Sequence, residues 1–260
     1  MENLNITIIQ TNLLWENVEG NLKHFDFKIN NTTETADIIV LPEMFTTGFT
    51  MNPQQFAEEH GDRGLQWMIE KAKQKKCVLV GSISIKDKEN FYNRLYWVKP
   101  DGSFQFYDKR HLFKMGNEDQ FYTAGSEKLI IEYKGWKICP LICYDLRFPV
   151  WSKNQKENSY DVLIYVANWP EVRAYPWKQL LIARAIENQS YVVGLNRIGN
   201  DGNGVSHSGD SAIINPRGEL ISSIQSHEDK TETVNLYSNY LLDFRKTFPV
   251  LSDGDAFHIL

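Results

Sequence analysis

Three apolar runs in this chain end on residues that can do chemistry. "IIVLPE" closes on Glu43, "FQFYDK" closes on Lys109, and "PLICYD" carries Cys143 near its end. In α/β folds, ligands gather at the carboxyl ends of strands, so an ionisable residue there stands where substrate arrives. Taken singly, each has a plain structural account. A Glu after a strand caps a turn, a Lys is a solvated end, and a free Cys packs as a small hydrophobe. The last account suits Cys77 and Cys139. Taken together, the three form a set for acyl transfer. A thiol attacks a carbonyl as thiolate, with an ordinary pKa near ~8.5. A neighbouring ammonium favours the thiolate, and a carboxylate can accept its proton and return it to a leaving amine. The ammonium also holds a tetrahedral oxyanion. Glu43, Lys109 and Cys143 thus supply base, electrophile and nucleophile without any histidine.

Other chemistries are poorly served. The six histidines show no metal-ligand spacing with one another or with cysteine, so no metal is expected. His111 lies close to Lys109 and is read as structural. No G-x-S-x-G elbow occurs. "GNDGNG" (199–204) follows a strand, but no helical pattern follows it, so it reads as a loop and not as a phosphate cradle.

These residues must be carried by a fold of matching size. The chain has 260 residues, 42% hydrophobic and 23% charged, enough to bury a sizeable core; residues 1–260 read as one domain. Net charge is −5 and no basic block appears, which argues against a nucleic-acid partner. The N-terminus lacks the pattern of a signal peptide, and no run approaches the ~18 apolar residues of a membrane span. Three cysteines are an odd number, and an extended Cys139–Cys143 segment separates their Cα atoms by roughly 13 Å, too far for a disulfide. A reducing cytoplasm is therefore expected.

Short apolar runs alternate with helical patterns. "NITIIQTN", "ADIIVLPE", "CVLVGSIS", "WKICPLICYD", "DVLIYVAN" and "YVVGLNRIG" read as strands, several of them apolar on both faces. Trp15, Val18, Leu22, Phe25 and Ile29 trace one helix face, and "RGLQWMIEKAKQKK" and "YPWKQLLIARAIENQ" predict two more helices. Hairpins are expected around Pro100-Asp101-Gly102 and around Asn215–Gly218. Around ten strands suit two packed mixed sheets better than one open sheet. The stretch from about Leu236 reads as a mixed tail that packs on a partner subunit.

"LPEMFTTGF", "YDKRHLF" and "ICYDLRFP" resemble, in order and separation, the three catalytic signatures of the nitrilase superfamily of carbon–nitrogen hydrolases. "RAIENQSYVVGLNRIG" and "GDSAIINPRGELI" resemble that family's later motifs, so the likeness covers nearly the whole chain. It implies an α/β fold of the four-layer α-β-β-α sandwich type, a homodimer, and catalysis without a cofactor. It also implies a fourth carboxylate after the lysine motif. Glu118 in "MGNEDQFYTAG" takes that place, with Asp119 the neighbouring alternative.

Within the superfamily, "HLFKMGNEDQFYTAG", "VANWPEVRAYPWKQLLIARAIENQ" and "GNDGNGVSHSGDSAIINPRGE" resemble bacterial omega-amidases. These release ammonia from the terminal amide of 2-oxo-dicarboxylic acid monoamides. By that likeness the oxyanion rests on Lys109 and the backbone N–H of Tyr144. The small anionic amide substrate needs a cationic anchor, and Arg173 is the candidate, with Trp169 and Phe45 as pocket walls. Asp145 and Arg147 are read as a structural ion pair or as supports behind the site, and not as substrate ligands. The competing readings are an amidase or carbamoylase acting on another small amide, and a catalytically silent scaffold.

Overall fold

The computed structural model describes residues 1–156 and 158–259; the expected domain and tail therefore include two residues, Glu157 and Leu260, that lie outside the described residues. Two mixed sheets pack face to face. The first has the strand order Lys230–Leu236, Leu4–Gln10, Ile38–Val40, Val78–Asp87, Asn90–Val98, Phe104–Asp108, with the short strand Glu58–Glu59 also paired to Val78–Asp87. Its centre is parallel and its two edges are antiparallel. The second has the order Ala212–Ile214, Tyr191–Asn196, Val162–Ala167, Trp136–Ile142, Ile131–Tyr133, again parallel inside and antiparallel outside.

The central strands lack polar alternation because both their faces are covered. Ile38 and Val40 point into the core between the sheets, with Ile6, Ile8, Val80 and Trp97. Ile39 and Leu41 point the other way, against Leu22, Phe25 and Ile29 of the helix Val18–Asn30 and Leu65 and Met68 of the helix Arg63–Lys75. Asn17 caps the first of these helices by accepting the Gly20 N–H at 2.9 Å. Lys76, in the left-handed conformation, ends the second. The helix Ala174–Asn188 covers the outer face of the second sheet. It lies so close that a Cβ on Gly194 would sit 2.5 Å from Leu181.

Two expectations need correction, and one strand was not expected. "YVVGLNRIG" is broken after Asn196; Ile198–Asn200 turns away to pair with Ser206–Ser208, and the loop 201–205 joins them. The hairpin at Asn215–Gly218 turns as expected, with Gly218 N–H donating to the Asn215 carbonyl. Its second arm contributes only a bridge at Leu220. The strand Lys230–Leu236 escaped notice because its "KTETVNL" is half-exposed and carries few apolar residues. Next comes the helix Ser238–Thr247, which docks on its own chain. Leu241 is buried, and Arg245 grips Asp161 at 2.6 Å and the Gln189 carbonyl at 2.9 Å.

Candidate active site

Glu43, Lys109 and Cys143 each stand just past the end of a strand, whereas Glu118 opens the short helix Glu118–Phe121. Glu43 follows Ile38–Val40, and Met44 behind it holds a left-handed backbone (φ 44°), its N–H donating to Ser82 Oγ at 2.8 Å while the next N–H, of Phe45, donates to the Ser82 carbonyl at 3.0 Å. Lys109 follows Phe104–Asp108. Its N–H donates to the Asn93 carbonyl at 3.0 Å, and its own carbonyl accepts the Gly125 N–H at 2.9 Å. Cys143 follows Trp136–Ile142 and opens the 3₁₀ turn Cys143–Arg147 with φ 41°. A non-glycine residue held there is strained, and strain of this kind is concentrated at functional sites. Asp145 clamps the turn. One oxygen accepts from Ile142 N–H and the Tyr107 hydroxyl, the other from the His111 N–H and Nδ1.

The charges converge in a buried group. Lys109 Nζ donates to Glu43 Oε1 at 2.8 Å and to both oxygens of Glu118 at 3.0 and 2.9 Å. All three side chains have zero exposure, so the site is a desolvated ammonium between two carboxylates. Those charges hold Lys109 well above its ordinary pKa despite burial, while burial raises Glu118. Asp119 is exposed and takes no part. Cys143 is raised well above an ordinary thiol, first by burial and then by Glu43, with Lys109 opposing. A thiol raised in this way keeps its proton at neutral pH. Cys77 and Cys139 are each pushed up to about 12 by burial and belong to the core.

Cys143 and Lys109 lie in the wall of a cleft of about 710 Å³. Trp169 and Arg173 also line it, the guanidinium of Arg173 standing 5.3 Å from the Phe113 ring. Phe45 does not. It is fully buried behind the first sheet, packed edge-on against Phe25 at 5.5 Å, and is a core residue. The ion pair expected between Asp145 and Arg147 is also absent. Asp145 is used up on Ile142, Tyr107 and His111, and Arg147 lies over the Trp169 ring at 5.0 Å in the cleft wall. His111 stacks on Phe148 at 3.8 Å and serves the Asp145 clamp. Tyr144, next to the sulfur, stands in the first turn of its 3₁₀ segment, where backbone N–H groups have no intrahelical acceptor.

Two asparagines were missed. Asn168 donates its N–H to Glu43 Oε2 at 2.8 Å and its side-chain amide to the Glu43 carbonyl at 2.6 Å. It closes "DVLIYVAN" just as Glu43 closes its own run, so the strand-end signal was present. Asn93 bridges both acids, 2.8 Å from Glu43 and 3.2 Å from Glu118. It lies within a strand of the hairpin, and nothing in its sequence neighbours marks it. Among the described residues, no group of three or more His, Cys, Asp or Glu is arranged to hold a metal ion. Nor is any helix there long and apolar enough to cross a membrane.

Gly125 fixes how Lys109 enters this group. A Cβ at that position would lie 2.2 Å from the Asp108 carbonyl oxygen, which is backbone and cannot step aside. Gly125→Ala is expected to lower stability by about 2–3 kcal/mol through overpacking and to displace Lys109. Thermal melts and steady-state rates check this; an unchanged melting temperature would remove Gly125 from the account.

The profile of the carbon-nitrogen hydrolase family matches residues 5–246. The chain belongs to the carbon–nitrogen hydrolase family. It is 45% identical over 259 residues to omega-amidase YafV of Escherichia coli K12, with the whole of both chains covered. It is 33% identical over 251 residues to the 2-oxoglutaramate amidase of Bacillus subtilis strain 168, covering 95% of this chain and 96% of that one. Among solved structures it is similar to a Xanthomonas campestris protein of the same superfamily, which carries an arsenic adduct in its active site. There the TM-score is 0.97 and identity 38%, with both chains fully covered. A carbon–nitrogen hydrolase cleaves amide-type bonds, and the buried Glu-Lys-Glu group beside a thiol is chemistry suited to that task.

Proposed function

We propose that this protein is an omega-amidase. It hydrolyses the terminal amide of 2-oxoglutaramate or 2-oxosuccinamate to ammonia and the 2-oxo acid. The observation that carries the reading is the meeting of Lys109, Glu43 and Glu118 at 2.8–3.0 Å next to a strained Cys143, in a cleft that also presents Arg173. The names of the full-length relatives support the choice of substrate.

In this mechanism Glu43 takes the thiol proton as Cys143 Sγ bonds to the amide carbon. The carbonyl electron pair moves onto oxygen, held by Lys109 and the Tyr144 N–H. Such donors cost no reorganisation at the moment of reaction, and losing one typically slows a reaction about 100–1000-fold. As the tetrahedral intermediate collapses, Glu43 returns the proton to the nitrogen and ammonia departs. A thioester on Cys143 remains. Water attacks it, giving its proton to Glu43; the C–S bond breaks, the sulfur recovers that proton, and the acid leaves. Glu118 and Asn93 keep Lys109 and Glu43 in register. Arg173 grips the substrate carboxylate through parallel N–H bonds.

The proposal extends to a cytoplasmic homodimer that clears transamination products of glutamine, including in methionine salvage. Exposed Tyr175 and Ile186 on one outer helix and Leu242 on another support pairing through that layer. Light scattering should give the mass of two chains.

The deciding assay compares ammonia release from 2-oxoglutaramate with release from N-carbamoyl amino acids and simple aliphatic amides. Preference for the oxo-acid amide is expected. Preference for a carbamoyl or neutral amide moves the protein elsewhere in its family, and inactivity on all of them favours a silent scaffold.

A further inference from the structure

The hairpin formed by Ile198–Asn200 and Ser206–Ser208 belongs to neither large sheet. A two-stranded hairpin standing alone is marginally stable in water, so its surroundings must hold it. Its place matters, because Asp201, Asn203, Val205 and His207 all line the cleft. The first arm is tied to the body of the protein. Ile198 bridges Asn12, and the buried Arg197 guanidinium donates to the Asn200 carbonyl at 3.0 Å. The second arm has no further strand on its outer side.

Glu171 takes that side. One of its carboxylate oxygens accepts the Ser206 hydroxyl at 2.6 Å, and His227 Nε2 lies 3.1 Å from the other. These bonds, Ser206 first, hold the Glu171 carboxyl below its ordinary range. The His227 N–H donates to the Ser208 carbonyl at 2.7 Å, which closes a ring of contacts around the arm. Glu171 itself opens the 3₁₀ turn Glu171–Arg173, and its neighbours Trp169, Val172 and Arg173 line the cleft. That turn is shaped from within, by the Arg173 N–H on the Pro170 carbonyl at 2.9 Å and by Trp169 Nε1–H on the Arg173 carbonyl at 2.7 Å. Neither bond sets its distance from the hairpin. Among the described residues, the Glu171–Ser206 bond is the one hydrogen bond that joins the turn to the hairpin.

We propose that Glu171 is a positioning residue that latches the rim hairpin to the turn carrying Arg173, and so fixes the width of the cleft where the substrate carboxylate sits. This inference rests on the omega-amidase reading and goes beyond it by naming what keeps the binding walls in place. Glu171 does not line the cleft, and its two partners are separate from Cys143 and from the Lys109 group. It therefore acts on binding and leaves the chemistry to others. The sign of its effect separates a latch from simple electrostatics. A negative charge near the cleft repels an anionic substrate, so neutralising it by charge alone would tighten binding. A latch gives the opposite result: losing the carboxylate frees the wall and weakens binding.

Steady-state kinetics on 2-oxoglutaramate test this. Glu171→Ala is expected to raise KM about 10-fold, the scale of one lost hydrogen bond to a charged group. Its kcat should stay within about twofold of wild type, the pattern of binding lost equally from ground and transition states. Glu171→Gln keeps an oxygen for Ser206 and should hold KM within about threefold of wild type. Ser206→Ala should raise KM as Glu171→Ala does, and the double variant should be no worse than either, because both break the same bond. Melting temperatures should stay near wild type throughout, as for other exposed substitutions. A KM unchanged or lowered in Glu171→Ala, a melting temperature that falls in step with binding, or independent addition of the two single effects overturns the latch and leaves the omega-amidase reading standing. A wild type that ignores 2-oxoglutaramate and cleaves another amide overturns the omega-amidase reading, and the same KM comparison on that amide then decides the latch. Inactivity on every amide overturns both.

Discussion

Cys143→Ala is expected to abolish amide hydrolysis, by at least about 10⁴-fold in kcat, while the protein keeps its fold. Alanine removes the one thiol that lines the cleft; the other two thiols are core residues pushed up to about 12 and cannot replace it. The backbone at this position already sits at φ 41°, and the Asp145 clamp that holds it there uses no atom of the cysteine side chain. The Lys109 group contains no cysteine atom either. Melting temperature should therefore stay within a few degrees of wild type, since the change deletes one small buried group. Residual ammonia release above about one per cent of wild type, in protein free of contaminating amidase, would show that Cys143 is not the nucleophile.

Lys109→Met is expected to damage activity and stability together. The variant keeps the length of the side chain and deletes its charge, leaving two buried carboxylates around an apolar tip. Breaking a buried ion pair from one side costs about 3–5 kcal/mol, because a charge is left without its partner. Turnover should fall at least about 100-fold with the loss of an oxyanion donor.

The stability loss carries a pH signature. Burial raises the Glu118 carboxyl, and Lys109 is the chief opposing influence. Without the ammonium the folded-state pKa rises further. A carboxyl whose folded pKa exceeds its unfolded value contributes most below the unfolded value, near ~4.3, and that contribution is lost as pH climbs through the folded one. The variant should therefore come closest to wild type near pH 4–5 and lag furthest behind at pH 7–8. Chemical denaturation at several pH values measures this gap; a gap independent of pH would mean that the two carboxylates do not feel Lys109 as the geometry says they must.

Much of the architecture was legible in the chain. Helices were marked by apolar residues at three- and four-residue spacing, as Leu22, Phe25 and Ile29 show. Central strands were marked by unbroken apolar runs such as Ile38–Val40, buried on both sides. What failed were elements whose stability comes from neighbours. Lys230–Leu236 is half-exposed and holds its place by pairing with Leu4–Gln10, a partner more than two hundred residues away. The break after Asn196 follows from Ile198–Asn200 finding a different partner, which no local propensity records.

The same division runs through the site. The sequence by itself determined which residue types stand at the strand ends, because a strand covered on both faces tolerates ionisable side chains only where it emerges. That rule singled out Glu43, Lys109 and Cys143, and it would have found Asn168. Only the tertiary structure decided which side chains look into the cleft. Phe45, two residues after Glu43, faces the helices behind the sheet, and Asn93, inside a strand, faces the two acids. Arg147 lies over Trp169 in the cleft wall and not against Asp145. A nearby Asp suggested an ion pair, but a clamp assembled from Tyr107, His111 and Ile142 had already taken both oxygens. The physical reason is common to all three. Direction and partnership depend on competition among groups brought together by folding, and a buried polar atom goes to whichever partner the packing places within reach.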